Sequence, residues 1–217
     1  MSLNRVYEIV VLICFLYSIY LWISKNKSKQ QFFFFLYLLL IIVVDIIPVN
    51  FPFLVNCNRN ILFLGYILIS VCYFGTIYYK SIPNNIFKIL TVCFCSIFIL
   101  FNIYIFQKTE LGKLNFISII SLPVLFIFFS IAWFMYKLKN VDEKRITKHF
   151  LFWISSGLLI WSVFFIFRAI PMYFLQKNDS QLLSFLITVF SVINIMVYFL
   201  FLIGLIFAQN ERTPRRN

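Results

Sequence analysis

Acidic and polar side chains are what this chain most lacks. Of its 217 residues 7 are Asp or Glu, against 19 Lys or Arg, one is His, and 63% are hydrophobic, with a mean hydropathy of +0.96. A soluble domain is excluded, because the polar residues left over cannot make a globular surface. The single histidine, His149, has no clustered ligands around it, so neither a zinc nor a haem centre is expected, and no cofactor is implied. Cys14, Cys72, Cys93 and Cys95 lie inside apolar runs as small hydrophobes, and Cys57 alone is in a loop, so no disulfide framework is expected. No small-residue cleavage site follows the first apolar run. The basic stretch Lys25 to Gln30 leads directly into the next one, so the first run is expected to stay as a helix rather than leave as a signal peptide.

What the chain does have is apolar length, including 30 phenylalanines. A bilayer core of about 30 Å needs about 20 apolar residues as helix. Seven such blocks occur, at about 4–24, 31–50, 61–79, 86–106, 115–136, 149–175 and 182–208. The fold class expected is an all-α membrane protein, a single seven-helix domain over 1–210 followed by a short basic tail, 211–217. Helix 2 is expected to kink or stop near Pro48, since VDIIPVNFPF carries Asp45, Pro48 and Pro52. Pro123 and Pro171 are expected to bend helices 5 and 6.

The net charge of +12 invites a nucleic-acid reading, but the basic residues fall in short tracts between apolar blocks, as membrane orientation requires, and no nucleic-acid partner is expected. One side of the membrane receives Lys25, Lys27, Lys29, Lys80, Lys88, Lys137, Lys139, Lys144, Arg145, Lys148, Arg212, Arg215 and Arg216. The other receives Arg5, Arg59, Lys108, Lys113 and Lys177. Thirteen against five puts the N-terminus outside and the C-terminus in the cytoplasm. The longest polar loop, KLKNVDEKRITKH, is too short to fold as a domain, so no extramembrane module is expected, and no transporter-like repeat is visible.

One residue fits this pattern badly. Arg168 lies inside helix 6, where a guanidinium costs several kcal/mol unless a partner, water or the interface receives it. Helix 6 enters from the cytoplasm near His149, which places Arg168 about 30 Å along it, towards the outer leaflet. Asp45, about fourteen residues into helix 2, and Glu8, near the external start of helix 1, come out in the outer half as well. The expected arrangement pairs Arg168 with Asp45, with Glu8 a second acceptor and Asn115 completing the cluster. In the alternative, Arg168 and Glu8 reach separately for the headgroups.

Helical phasing adds a second regularity. At about 100° per residue Trp153, Gly157, Trp161, Phe164, Arg168 and Pro171 fall within roughly a quarter of the circumference of helix 6. This face reads either as a seam between helices, where small and aromatic residues pack, or as the wall of a cavity lined by Trp161, Phe164 and Arg168. Asn102, Ser121, Thr188, Ser191 and Asn194 read as interhelical hydrogen-bonding residues.

Several chemistries find no support. The last helix has no lysine for a retinal Schiff base, and His149 stands at the cytoplasmic edge beside Lys148, away from any candidate nucleophile. A lipid hydrolase could use Glu8 and Asp45 with Arg168 holding a phosphate, although a denser polar lining would be expected of it. A small carrier is the third class.

The run Phe152-Trp153-Ile154, then Gly157, Leu158, Leu159, Ile160 and Trp161, resembles the FWI..G.LIYF signature of a family of small seven-helix membrane proteins common in Bacteroidetes. Asp45 late in helix 2, the Tyr78-Tyr79-Lys80 ending of helix 3 and Asn115 opening helix 5 extend the resemblance over most of the chain. Trp161 replaces the usual tyrosine, and the Ser-Tyr and following glutamate associated with the asparagine of helix 5 are missing. The family carries no established activity. The resemblance implies a bacterial inner-membrane location and, through neighbouring genes, a sensor histidine kinase as signalling partner. The reading reached from the sequence is a non-enzymatic sensory or accessory protein in contact with membrane lipids, with a ligand or lipid site formed by Glu8, Asp45, Asn115, Trp161, Phe164 and Arg168.

Overall fold

The computed structural model describes residues 3–23, 33–50, 59–108, 116–140, 145–175 and 180–210. Among them there is no strand. The helices are α1 (Leu3–Ile23), α2 (Phe34–Asn50), α3 (Arg59–Ser81), α4 (Asn85–Lys108), α5 (Phe116–Lys139), α6 (Phe150–Leu175) and α7 (Ser180–Asn210). All but α2 are long and apolar enough to cross a membrane, and α2 spans about 25 Å at 1.5 Å per residue. The protein is an α-helical multi-pass membrane protein. Helices follow from the solvent: hydrocarbon offers backbone amides no partner, so each segment must satisfy its own. Several hydroxyls inside the spans follow the same rule by donating back to the preceding turn. Thr76 donates to the Cys72 carbonyl (2.7 Å), Thr91 to Phe87 (2.9 Å), Ser156 to Phe152 (2.8 Å) and Ser191 to Ile187 (2.9 Å).

Helix α2 is disturbed near Pro48 by a widened turn, and its last described residue is Asn50. It runs through Pro48 to Asn50, and the distortion comes one turn earlier as a π-helical turn at Ile42–Ile46, closed by Ile47 N–H donating to the Ile42 carbonyl. Pro48 has no N–H to offer and its ring crowds the carbonyl four residues back, so widening the preceding turn lets the helix continue. Pro123 and Pro171 likewise lie inside continuous helices.

The described chain divides into two compact units, 1–38 with 126–217 and 39–125. In the first, α6 packs along α7, and α1 also packs on α7. Phe34 is fully buried with its ring edge-on to Phe150 (5.7 Å) and Phe201 (5.4 Å). On the α1 side the buried Cys14 thiol donates to the Tyr198 carbonyl at 3.2 Å. Gly157 and Gly204 bring α6 and α7 together: a Cβ on Gly157 would stand 2.7 Å from Phe201 Cε1, and one on Gly204 would stand 3.1 Å from Trp153 Cβ. The entry to α6 is a 3-10 turn, Ile146–Lys148, whose Thr147 carbonyl accepts the Trp153 indole N–H at 2.8 Å.

In the second unit α3 and α4 form a hairpin joined at residues 82–84, with the Asn84 side-chain oxygen accepting the Ile86 N–H at 2.9 Å as the cap of α4. Gly75 sits against Cys95, whose sulfur would lie 2.7 Å from a Cβ there. Asn102 of α4, fully buried, donates to the Phe98 carbonyl (3.0 Å) and to Ser121 of α5 (3.4 Å).

Candidate functional site

Arg168 is half-buried in the first unit, 18 residues beyond the start of α6, or about 27 Å along its axis. Its guanidinium carbon stands 4.7 Å from the centroid of the Phe190 ring on α7. A desolvated cation over an aromatic face gains about 2 kcal/mol, which offsets part of the cost of holding it near hydrocarbon. Phe190 is itself 6% exposed and packs edge-on against Phe165 at 5.6 Å. Phe165 in turn stacks on Trp161 at 4.8 Å, and Trp161 reaches Phe126 of α5 at 6.1 Å. The cation therefore rests on one end of a continuous aromatic layer.

The face of α6 singled out by phasing is largely turned to α7. Trp153 stacks parallel on Phe207 at 5.8 Å, Gly157 meets Phe201 and Val197, Trp161 lies 6.3 Å from Phe190, and Arg168 covers Phe190. Phe164 belongs to the same quarter of the helix but stands at its edge, 39% exposed. Phe165 and Phe190 did not figure among the expected site residues. Phe165 lies three residues before Arg168, so helical spacing could have found it. Phe190 depends on the register between α6 and α7, which no pattern within one helix encodes.

Glu8 is placed in the first unit on α1. Its carboxylate lies 3.6 Å from Arg5 Nη1, one turn earlier, with the Glu8 side chain 15% exposed and Arg5 66% exposed. Tyr7, its neighbour in the chain, packs edge-on against Tyr198 at 5.5 Å. Tyr198 is eight residues, or about 12 Å, along α7 from Phe190, so Tyr7 and Arg168 meet α7 at different points along it.

Asp45 occupies the π turn of α2, is exposed, and belongs to the second unit, where that turn packs against α3. Asn50, one turn on, donates through Nδ2 to the Ile46 carbonyl at 3.1 Å. Asn115 lies outside the described residues. Trp161 and Arg168 thus share one aromatic layer, and Phe164 borders it. Among the described residues no three His, Cys, Asp or Glu side chains gather as metal ligands, and Cys14, Cys72, Cys93 and Cys95 are free thiols. The rings around Trp161 and under Arg168 form an apolar aromatic surface. No family model, curated protein or solved structure matches the chain.

Proposed function

We propose that this chain is a multi-pass protein of the bacterial inner (cytoplasmic) membrane, N-terminus outside and C-terminus in the cytoplasm, acting as a non-enzymatic sensory or accessory partner. Its ligand or lipid site lies in the outer half of the first unit, centred on Arg168 with Trp161 and Phe164, with Glu8 on α1, which also packs on α7. Its basic cytoplasmic segments, Lys137, Lys139, Arg145 and Lys148 among them, meet anionic headgroups or a partner such as a histidine kinase.

The observation that carries this reading is the cation held over Phe190 about 27 Å along α6. A guanidinium at that depth is costly, and the aromatic layer beneath it is suited to holding and orienting it rather than to acid-base work. Co-purification from native membranes tests the role: the chain is expected to bring down a membrane kinase or another signalling protein, with recovery that changes in Arg168→Gln. Recovery of the chain alone after mild cross-linking would overturn a signalling role.

A further inference from the structure

The hairpin of the second unit brings two thiols to one level. Across α3 and α4 the Lys88 ammonium stands 5.6 Å from the centroid of the Tyr79 ring, which sets those two residues about level with each other. Seven residues make two helical turns, so Cys72 on α3 and Cys95 on α4 lie two turns further from the connection, on the same two faces. They are therefore level as well. A second contact agrees with this register: the Cys95 sulfur is seated against Gly75, one turn from Cys72, and would lie 2.7 Å from a Cβ there. Lacking that Cβ, α3 lets α4 come close, which a disulfide needs, since its Cα atoms stand about 4.4–6.8 Å apart. The two thiols are near enough for the charge on one to act on the other. Both are free, Cys72 exposed and Cys95 half-buried. Cys93, also exposed, is two residues from Cys95, or about 200° round α4, and faces away from this contact.

Cys72 is nine residues into α3 from Ser81 and Cys95 ten residues into α4 from Asn85, about 14–15 Å from the connection in each helix. That is the middle of a hydrocarbon core of about 30 Å. Water-soluble oxidants do not partition there, and a charged intermediate is costly. A membrane quinone meets both conditions, because it dissolves in hydrocarbon and takes up protons together with electrons. We propose that Cys72 and Cys95 are an oxidisable thiol pair whose oxidant is a membrane quinone. In this step both S–H bonds break and one S–S bond forms. Two electrons and two protons pass to the quinone, whose two carbonyl oxygens become the hydroxyls of a quinol, and no net charge is left in the hydrocarbon. The disulfide ties α3 to α4 at mid-depth. The pair belongs to the second unit and does not depend on the reading of Arg168.

The test uses the purified full chain, fully reduced, in lipid nanodiscs without oxygen. It is incubated with duroquinone, whose ring has no open carbon for a thiol to add to, then denatured in N-ethylmaleimide and weighed. The reduced chain has five thiols and is expected to take up five maleimides; after the quinone it is expected to take up two fewer, with about one quinol formed per chain. Digestion is expected to yield a peptide pair linked through Cys72 and Cys95. Cys72→Ser and Cys95→Ser should each keep all of their remaining thiols. An unchanged count, a link through Cys14, Cys57 or Cys93, or a disulfide-linked dimer on a non-reducing gel would overturn the proposal. The linked peptides are read on the unaltered protein, so they decide even where a variant fails to fold.

Discussion

Adding one methyl group at Gly157 and one at Gly65 should have opposite effects on stability. Both glycines lie inside helices, so replacing either by alanine removes the same excess backbone freedom, worth about 0.5–1 kcal/mol in favour of folding. At Gly65 the new Cβ meets nothing within 4 Å, and Gly65→Ala is expected to stabilise by about that amount. At Gly157 it would stand 2.7 Å from Phe201 Cε1, 3.2 Å from Cδ1 of the same ring and 3.5 Å from Val197 Cγ1. The Phe201 ring has little room to give way, being 1% exposed and flanked by Phe34 at 5.4 Å and Tyr198 at 5.5 Å. Overpacking of this kind costs about 1–3 kcal/mol, so the gap between the two variants should be of that order, with Gly157→Ala the less stable. Unfolding in mixed detergent micelles, followed by tryptophan fluorescence, measures the gap. If Gly157→Ala gains as much as Gly65→Ala, Phe201 does not lie against Gly157 and α6 meets α7 in a different register.

Three further outcomes are expected. Asn102→Leu should change stability by less than about 1 kcal/mol in the same assay, because its buried Oδ1 has no hydrogen-bond partner and an apolar side chain of similar size avoids that cost; a loss of several kcal/mol would mean that the contact with Ser121 does more than its 3.4 Å length suggests. Trp153→Phe keeps a ring against Phe207 and loses the 2.8 Å bond to the Thr147 carbonyl, so it should cost about 1 kcal/mol at the start of α6, read as faster hydrogen exchange over residues 150–156. For orientation, single cysteines introduced at Asn84 and Asn140 into a cysteine-free background should react with an impermeant maleimide only when the cytoplasmic face is accessible; labelling from outside would reverse the topology.

The helices were legible in the sequence because hydrocarbon imposes one simple demand, about twenty apolar residues that satisfy their own backbone. The limits of α1, α4 and α6 therefore fall within a few residues of the apolar blocks. Pro48 was legible as a disturbance but not in kind, since whether a helix breaks or widens into a π turn depends on packing around it, here against α3. The face of α6 carrying Trp153, Gly157, Trp161 and Arg168 followed from a period of 3.6 alone. Its partner on α7 did not, because Phe190 is one of 30 phenylalanines and spacing cannot choose among them. Arg168 drew attention as a lone charge in an apolar span, and charge reasoning looked for an acid beside it. Its guanidinium also rests on a ring, that of Phe190, which charge reasoning does not select.

The most direct measurement follows one defined lipid on the protein over time. The purified chain is loaded with phosphatidylglycerol, and both the complex and the released lipid are weighed by mass spectrometry after extended incubation. A binding protein without catalytic activity is expected to hold the lipid through Arg168 and return it chemically unchanged. Conversion of the lipid by the intact protein, abolished in a folded Arg168→Gln variant, would contradict that account and make the same residue part of an enzyme.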